Sequence, residues 1–168
     1  NSPDCARGRG PDAALNADLL GLNYQVQAAN KKAMTLDLKS ARGQQILKQL
    51  VEDADILVEN YRTGALSSLG LGYDDLKAVN PKLIYCSLTG FGNSGPRAEV
   101  NAYDNVIQAS SGIIDQSGGH KPGVSFVDYA AGYNAAFAIS SALHQREATG
   151  KGTHISCSML EVAMNLMA

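Results

Sequence analysis

The sequence is poor in the features that usually announce a function. Cysteine occurs three times, at Cys5, Cys86 and Cys157, an odd number at wide spacings with no CxxC pair. That argues against a disulfide framework or a zinc site and suits a reducing, cytoplasmic compartment. Formal net charge is only −2, so there is no basic footprint for a nucleic-acid partner. No apolar run approaches the roughly 20 residues that span a bilayer; neither a secretory signal nor a membrane partner is expected. The histidines, His120, His144 and His154, lie far apart without ligand spacing to one another or to a cysteine, so no metal is expected. A P-loop, a serine nucleophile elbow, internal repeats and low-complexity tracts are all missing.

What remains is a globular composition. The 168 residues are 45% hydrophobic and 18% charged, enough for one domain with a core. The chain opens on the polar, glycine-rich "NSPDCARGRGPDAAL" without an initiating Met, and stops inside the helix-like "SMLEVAMNLMA" without a terminating glycine or proline. This pattern predicts one piece of a longer chain.

Along the chain, "AALNADLLGLN" predicts a short helix and "AMTLDL" (Ala33–Leu38) a strand. Ser40 is placed to cap a helix in which Ile46, Leu47, Leu50 and Val51 form one apolar stripe. "DILVEN" and "KLIYCSLTG" read as strands, separated by two short helical turns in "TGALSSLGLGYDDLKAVNP". The second strand lacks strict alternation, which predicts burial on both faces. "YDNVIQASSGIID" is helical until Gly112, the longest helix is expected from Asp128 to about Thr149, and "THISCSM" is a last strand. Cys86 and Cys157 fall in apolar strand-like runs and read as packed thiols. Strand, helix, strand, short helices, strand is the rhythm of an α/β parallel sheet.

Two local signals bear on chemistry. "GFGNSG" (Gly90–Gly95) matches G-x-G-x-x-G after a strand, but Pro96 follows and "RAEVN" does not open a helix. A dinucleotide site needs that helix N-terminus for the pyrophosphate, so the motif is rejected. Asp128, in "VSFVDYAAGYNAA", stands where an extended segment meets an alanine-rich helix. Its ordinary role there is an N-cap, whose oxygens accept from orphan amides of the first turn. Lys31, Lys32, Lys39 and Arg62 by themselves read as solvated surface.

Taken together, "NKKAMTLDLKS", "ADILVENYRTGALSSLGLGYDDLKAVNPKLIYCSLTGFGNSGP", "AYDNVIQASSG" and "VDYAAGYNAAFAISSALHQREATGKGTHISCSMLEVAMN" resemble the family III CoA-transferases, in family order and spacing from about Asn30 onward. The resemblance implies part of a Rossmann-like open parallel sheet with flanking helices, the large CoA-binding domain of that fold, here over residues 1–168. An initial strand-helix unit, a glycine-rich covering loop and a small domain are expected outside this chain. The family's catalytic aspartate, in a D-x-x-x-G setting, falls on Asp128, with Gly132 four residues on. Its coenzyme A contacts fall on Leu36, Asp37, Leu38 and Lys39, on Asn60, Tyr61 and Arg62, and on Asn101, Ala102, Tyr103 and Asp104. Lys39 and Arg62 are then cations at strand ends, suited to the CoA phosphates.

The activity implied is transfer of CoA from an acyl-CoA thioester to a small carboxylic acid through an aspartyl-CoA intermediate, by an enzyme that forms an interlocked homodimer. The superfamily also holds α-methylacyl-CoA racemases, whose catalytic histidine falls on Tyr103, a poor base near neutral pH. Epimerisation is therefore the alternative reaction, and a non-catalytic CoA-binding or assembly module the alternative class.

Overall fold

The computed structural model describes residues 3–168. They divide into an N-terminal unit that ends at Leu36 and a larger unit, Asp37–Ala168. In the N-terminal unit the expected single helix is two: α1 (Ala13–Ala17) and α2 (Leu22–Gln27). Asp12 caps α1, its Oδ1 accepting from the amides of Ala14 and Leu15. Helical backbone then fails at Leu19, which has a positive φ of 58°, and restarts at Gly21.

Ala33–Leu38 forms no strand, contrary to its apolar alternation. A strand needs a partner as well as a pattern, and among the described residues nothing pairs with this segment. Lys39 accordingly lies not at a strand end but in a tight turn. Asp37 Oδ1 accepts from the Lys39 amide, and the Ser40 hydroxyl donates to the Asp37 carbonyl. Ser40 then caps α3 (Ala41–Glu52) as expected, its Oγ accepting from the Gly43 amide at 3.0 Å.

The remaining elements run β1 (Ile56–Glu59), a 3-10 turn (Ser67–Leu69), α4 (Tyr73–Val79), β2 (Ile84–Thr89), α5 (Asp104–Ser111), α6 (Ile113–Gln116), α7 (Phe126–Thr149), β3 (His154–Ser158) and α8 (Met159–Met167). The three strands form a parallel sheet in the order β1-β2-β3, with Ile56 opposite Ile84 and Cys86 opposite Ile155. The protein thus has the α/β architecture that the alternation of elements predicts.

Successive side chains of a strand point to opposite faces, and β2 shows why it is apolar on both. Tyr85 packs with Leu66, Leu71, Leu76, Leu83 and Val51, a cluster contributed largely by α3, α4 and the 3-10 turn. On the other face Cys86 and Cys157 meet Ala131 and Ala135 of α7 and Val162 of α8. Small residues on α7 let its backbone lie close to the sheet. A third cluster, Ile107, Ile113, Val127 and Ala163, joins α5, α6, α7 and α8 beneath the start of α7.

α7 is fastened at its far end by Arg146. Its Nη2 meets Asp55 Oδ1 at 2.7 Å, and its Nη1 donates to the Lys82 carbonyl at 3.1 Å. Gly150, in the left-handed conformation at φ 69°, ends the helix, and Gly112 at φ 92° ends α5. Both stops match the sequence. The start of α7 does not: the helix begins at Phe126, two residues before Asp128.

Candidate functional site

The carboxyl ends of parallel strands are where an open α/β sheet offers its crevice. A cavity of about 540 Å³ lies there, between the segment after β1, the end of β2 and the first turns of α7. Of the residues singled out in the sequence, Asn60, Tyr61, Arg62, Asn101, Ala102, Tyr103 and Asp128 all line it. Asp37, Leu38 and Lys39 do not; Leu38 packs against the Leu71–Leu76 core instead. Leu36 ends the N-terminal unit.

Close packing at the end of β2 shapes the cavity. A Cβ on Gly90 would lie 2.2 Å from the Cβ of Ala102, so only glycine lets the Asn101–Tyr103 segment approach the strand end. The "GFGNSG" loop is tied down by Gly92, whose amide donates to Thr89 Oγ1 and whose carbonyl accepts from Thr63 Oγ1. The next helix, α5, starts only at Asp104, after the turns of residues 96–100.

Asp128 is not the cap of α7. It occupies the third helical position, and no hydrogen bond reaches its carboxylate from the described residues. The capping oxygen comes from α5. Asp104 Oδ2 accepts from the Val127 amide at 3.0 Å and from the Asp128 amide at 3.3 Å. Gln108 donates to Asp104 Oδ1, and Lys121 Nζ stands 3.8 Å from the same oxygen. Asp104 is 3% exposed and lies behind the cavity wall rather than on it.

The Asp128 carboxyl is solvent-accessible, yet protein surrounds it on the concave side. Reduced hydration raises its pKa above the ordinary aspartate value; the Asp104 carboxylate adds to the rise and Lys121 opposes it. Beside it the floor is small. Gly132 and Ala131 line the cavity, and a Cβ on Gly132 would meet nothing within 4 Å. A glycine in mid-helix costs about 1 kcal/mol relative to alanine, and here packing gives no reason for it. The space it leaves belongs to the cavity. Arg62 is the one cation lining it among the described residues, and the amides of Asn60 and Asn101 supply neutral donors and acceptors.

Sequence reasoning missed Thr63, Leu88, Thr89 and Met159, which also line the cavity. Leu88 and Met159 carry only the signature of core residues, and nothing short of the fold distinguishes them.

A second cavity of about 350 Å³ shares Arg62 and Thr63. In it His154 stacks on Tyr73, with centroids 5.0 Å apart, and its Nε2 lies 2.9 Å from Ser87 Oγ. Desolvation lowers the His154 pKa, against the pull of Glu59 and Asp74. Burial pushes the Cys86 thiol up to about 11, which suits an inert packed thiol. Among the described residues all three cysteines are free, no cluster of three or more His, Cys, Asp or Glu is placed to hold a metal, and no helix is long and apolar enough to cross a membrane.

Among the described residues, a carboxylate without hydrogen-bond partners stands on the wall of a strand-end cavity with one cation and a small-residue floor, an arrangement chemically compatible with nucleophilic carboxylate chemistry. Comparison with known proteins gives the class. The model of CoA-transferase family III matches residues 1–168. The chain belongs to CoA-transferase family III. The succinyl-CoA:glutarate CoA-transferase of Mus musculus is 42% identical over 136 residues, covering 78% of this chain and 31% of that protein. The succinate–glutarate CoA-transferase of Agrobacterium fabrum (strain C58) is 35% identical over 173 residues, 98% of this chain and 43% of that one. Among solved structures, a CAIB/BAIF family protein from Brucella suis superposes with a TM-score of 0.79 at 42% identity, over 82% of this chain and 38% of that chain. The chain therefore spans between about a third and under half of the length of these relatives.

Proposed function

We propose that the whole protein moves coenzyme A from an acyl-CoA thioester to a small carboxylic acid, with Asp128 as the nucleophile. The observation that carries this reading is the Asp128 carboxylate, left without capping duty beside the open floor at Gly132. In the first step a carboxylate oxygen attacks the thioester carbonyl; the C–S bond breaks, giving a mixed anhydride and CoA thiolate. The thiolate then attacks the aspartyl carbonyl, forming the aspartyl-CoA thioester and releasing the donor acid as its carboxylate. An acceptor carboxylate attacks that thioester, and the returning thiolate takes the acyl group as the new CoA ester, regenerating Asp128. Each step conserves the thioester's energy in an acyl bond of similar reactivity, so no external energy source is needed.

The roles of other residues follow from position. Arg62 suits an anionic group of the substrates, and Asn60 and Asn101 suit the polar pantetheine amides. Tyr61, Ala102 and Tyr103 form the rest of the wall implied for CoA. In this reading residues 1–168 form part of a larger CoA-binding domain, the whole protein is a homodimer, and its free thiols suit the cytoplasm.

Epimerisation is the reaction to distinguish, and the position implied for the racemase histidine is held here by Tyr103, 76% exposed at the cavity rim. Full-length protein is incubated with acyl-CoA and a free acid, and separately with one 2-methylacyl-CoA epimer in deuterated water. Acyl exchange without deuterium wash-in is expected. Wash-in without exchange would remove the transferase reading.

A further inference from the structure

Asp104 falls, by resemblance, among the CoA contacts, yet its carboxylate is turned away from the cavity. Among the described residues it is the one buried charged side chain, and its polar contacts are the first amides of α7, Lys121 in the loop before that helix, and Gln108 one turn along α5. Oδ2 receives the amides of Val127 and Asp128, which in an ordinary helix would be served by a residue at the N-cap position. Ser125, which occupies that position, makes no side-chain cap bond. Oδ1 receives Gln108, whose amide also donates to the Val124 carbonyl at 3.3 Å, and faces Lys121. A single carboxylate thus links α5, the 117–125 loop and the first turn of α7.

We propose that Asp104 is the positioning residue of the site: with Lys121 as counter-ion it seats the first turn of α7 from outside the helix, leaving the Asp128 carboxylate uncommitted on the cavity wall. The proposal rests on the reading of Asp128 as nucleophile. Its physical content is a division of labour. A self-capping Asp128 would turn its oxygens back onto amides of its own helix, where they could not reach an acyl carbon. A remote cap satisfies the same amides and frees the local acid.

The arrangement also sets the field at Asp128. The charged and titratable groups around it are Asp104 from α5, Lys121 from the loop, Arg62 and Tyr61 from the segment after β1, and Tyr103 before α5. Tyr129 follows it on α7, and Glu161, the only titratable residue of α8, is exposed and does not line the cavity. Of these, Asp104 and Lys121 act on the Asp128 carboxyl in opposite directions.

The test uses full-length protein carrying 13C-carboxyl aspartate, with the Asp128 resonance assigned by its loss in Asp128→Asn. In Asp104→Asn the amide oxygen still accepts from the α7 amides, but the charge is gone; the Asp128 titration midpoint moves down. In Lys121→Met the opposing charge is gone; the midpoint moves up. Asp104→Ala, which also removes the seat, lowers kcat by roughly tenfold to a hundredfold, with a smaller change in KM for acyl-CoA. Asp104→Asn recovers part of that loss. A residue that merely supports the fold would lower stability without moving either midpoint. Midpoints that stay put, or that move the same way in both charge variants, overturn the proposal, and Lys121→Met decides alone if the Asp104 variants fail to fold. Should Asp128→Asn retain transfer activity, the nucleophile reading falls while the midpoints still report on the seat.

Discussion

The starts of α5 and α7 each carry an aspartate, and the two could hardly be treated more differently. Asp104 is 3% exposed, with both oxygens occupied by two backbone amides, a glutamine and a lysine. Asp128, 24 residues later, is accessible and receives no hydrogen bond on its carboxylate from the described residues. A buried carboxylate is tolerable only when its acceptor capacity is filled. Asp128 has no such partner among the described residues, and its raised pKa means that its ionised form is disfavoured by folding. The difference separates a residue that holds the site from one free to react.

The comparison breaks most visibly at Asp128. Asp128→Asn preserves size and helix compatibility but cannot form an anhydride, so steady-state transfer should fall on the order of a thousandfold or more. Thermal unfolding should be nearly unchanged. If activity survives, Asp128 is only an incidental surface acid.

At Asp104 the balance reverses. Asp104→Ala removes two capping bonds and leaves Gln108 and Lys121 without their partner, and should cost about 2 kcal/mol in denaturant unfolding. A loss no larger than that of an exposed acid would erase the contrast.

The pH dependence sharpens the distinction. Because its folded pKa is raised, Asp128 holds a proton more readily folded than unfolded. Its contribution to stability is full below the ordinary value of 3.8 and is lost as pH rises through the folded value. Catalysis needs the ionised form, so kcat/KM should fall on the acid side at a pH above the ordinary aspartate range. Unfolding curves of wild type and Asp128→Asn across that window should converge at low pH. The wild type should then become relatively less stable as the pH rises.

The smallest effect is at Gly132. Alanine there meets no atom within 4 Å and suits the helix better by about 1 kcal/mol. Gly132→Ala should therefore raise the melting temperature slightly while increasing KM for acyl-CoA, because its methyl group enters the cavity. A stabilised variant with unchanged KM would show that the space at Gly132 is not used.

Much of this was legible in the sequence. Ile56–Glu59, Ile84–Thr89 and His154–Ser158 are strands, and the clearest of them in the sequence is β2, whose apolar continuity matches burial along nearly its whole length. Ser40, Gly112 and Gly150 mark helix ends through local backbone chemistry, and local chemistry is what a sequence displays. Ala33–Leu38 failed because strand formation depends on a partner elsewhere. The ordinary local role of Asp128, a cap, does not hold for the complementary reason: the capping oxygen lies on a different helix, and a hydrogen bond across 24 residues leaves no pattern in the chain. The same holds for Leu88 and Met159, whose place in the cavity wall is set by packing alone.

The central claim is that Asp128 becomes covalently acylated, and it can be read from one peptide. Full-length protein is given acyl-CoA without an acceptor acid, quenched with hydroxylamine, digested and analysed by mass spectrometry. The account predicts a hydroxamate on the side chain of Asp128, dependent on acyl-CoA and missing in Asp128→Asn. Efficient transfer with no hydroxamate on that peptide, or with the adduct on another carboxylate, would contradict it.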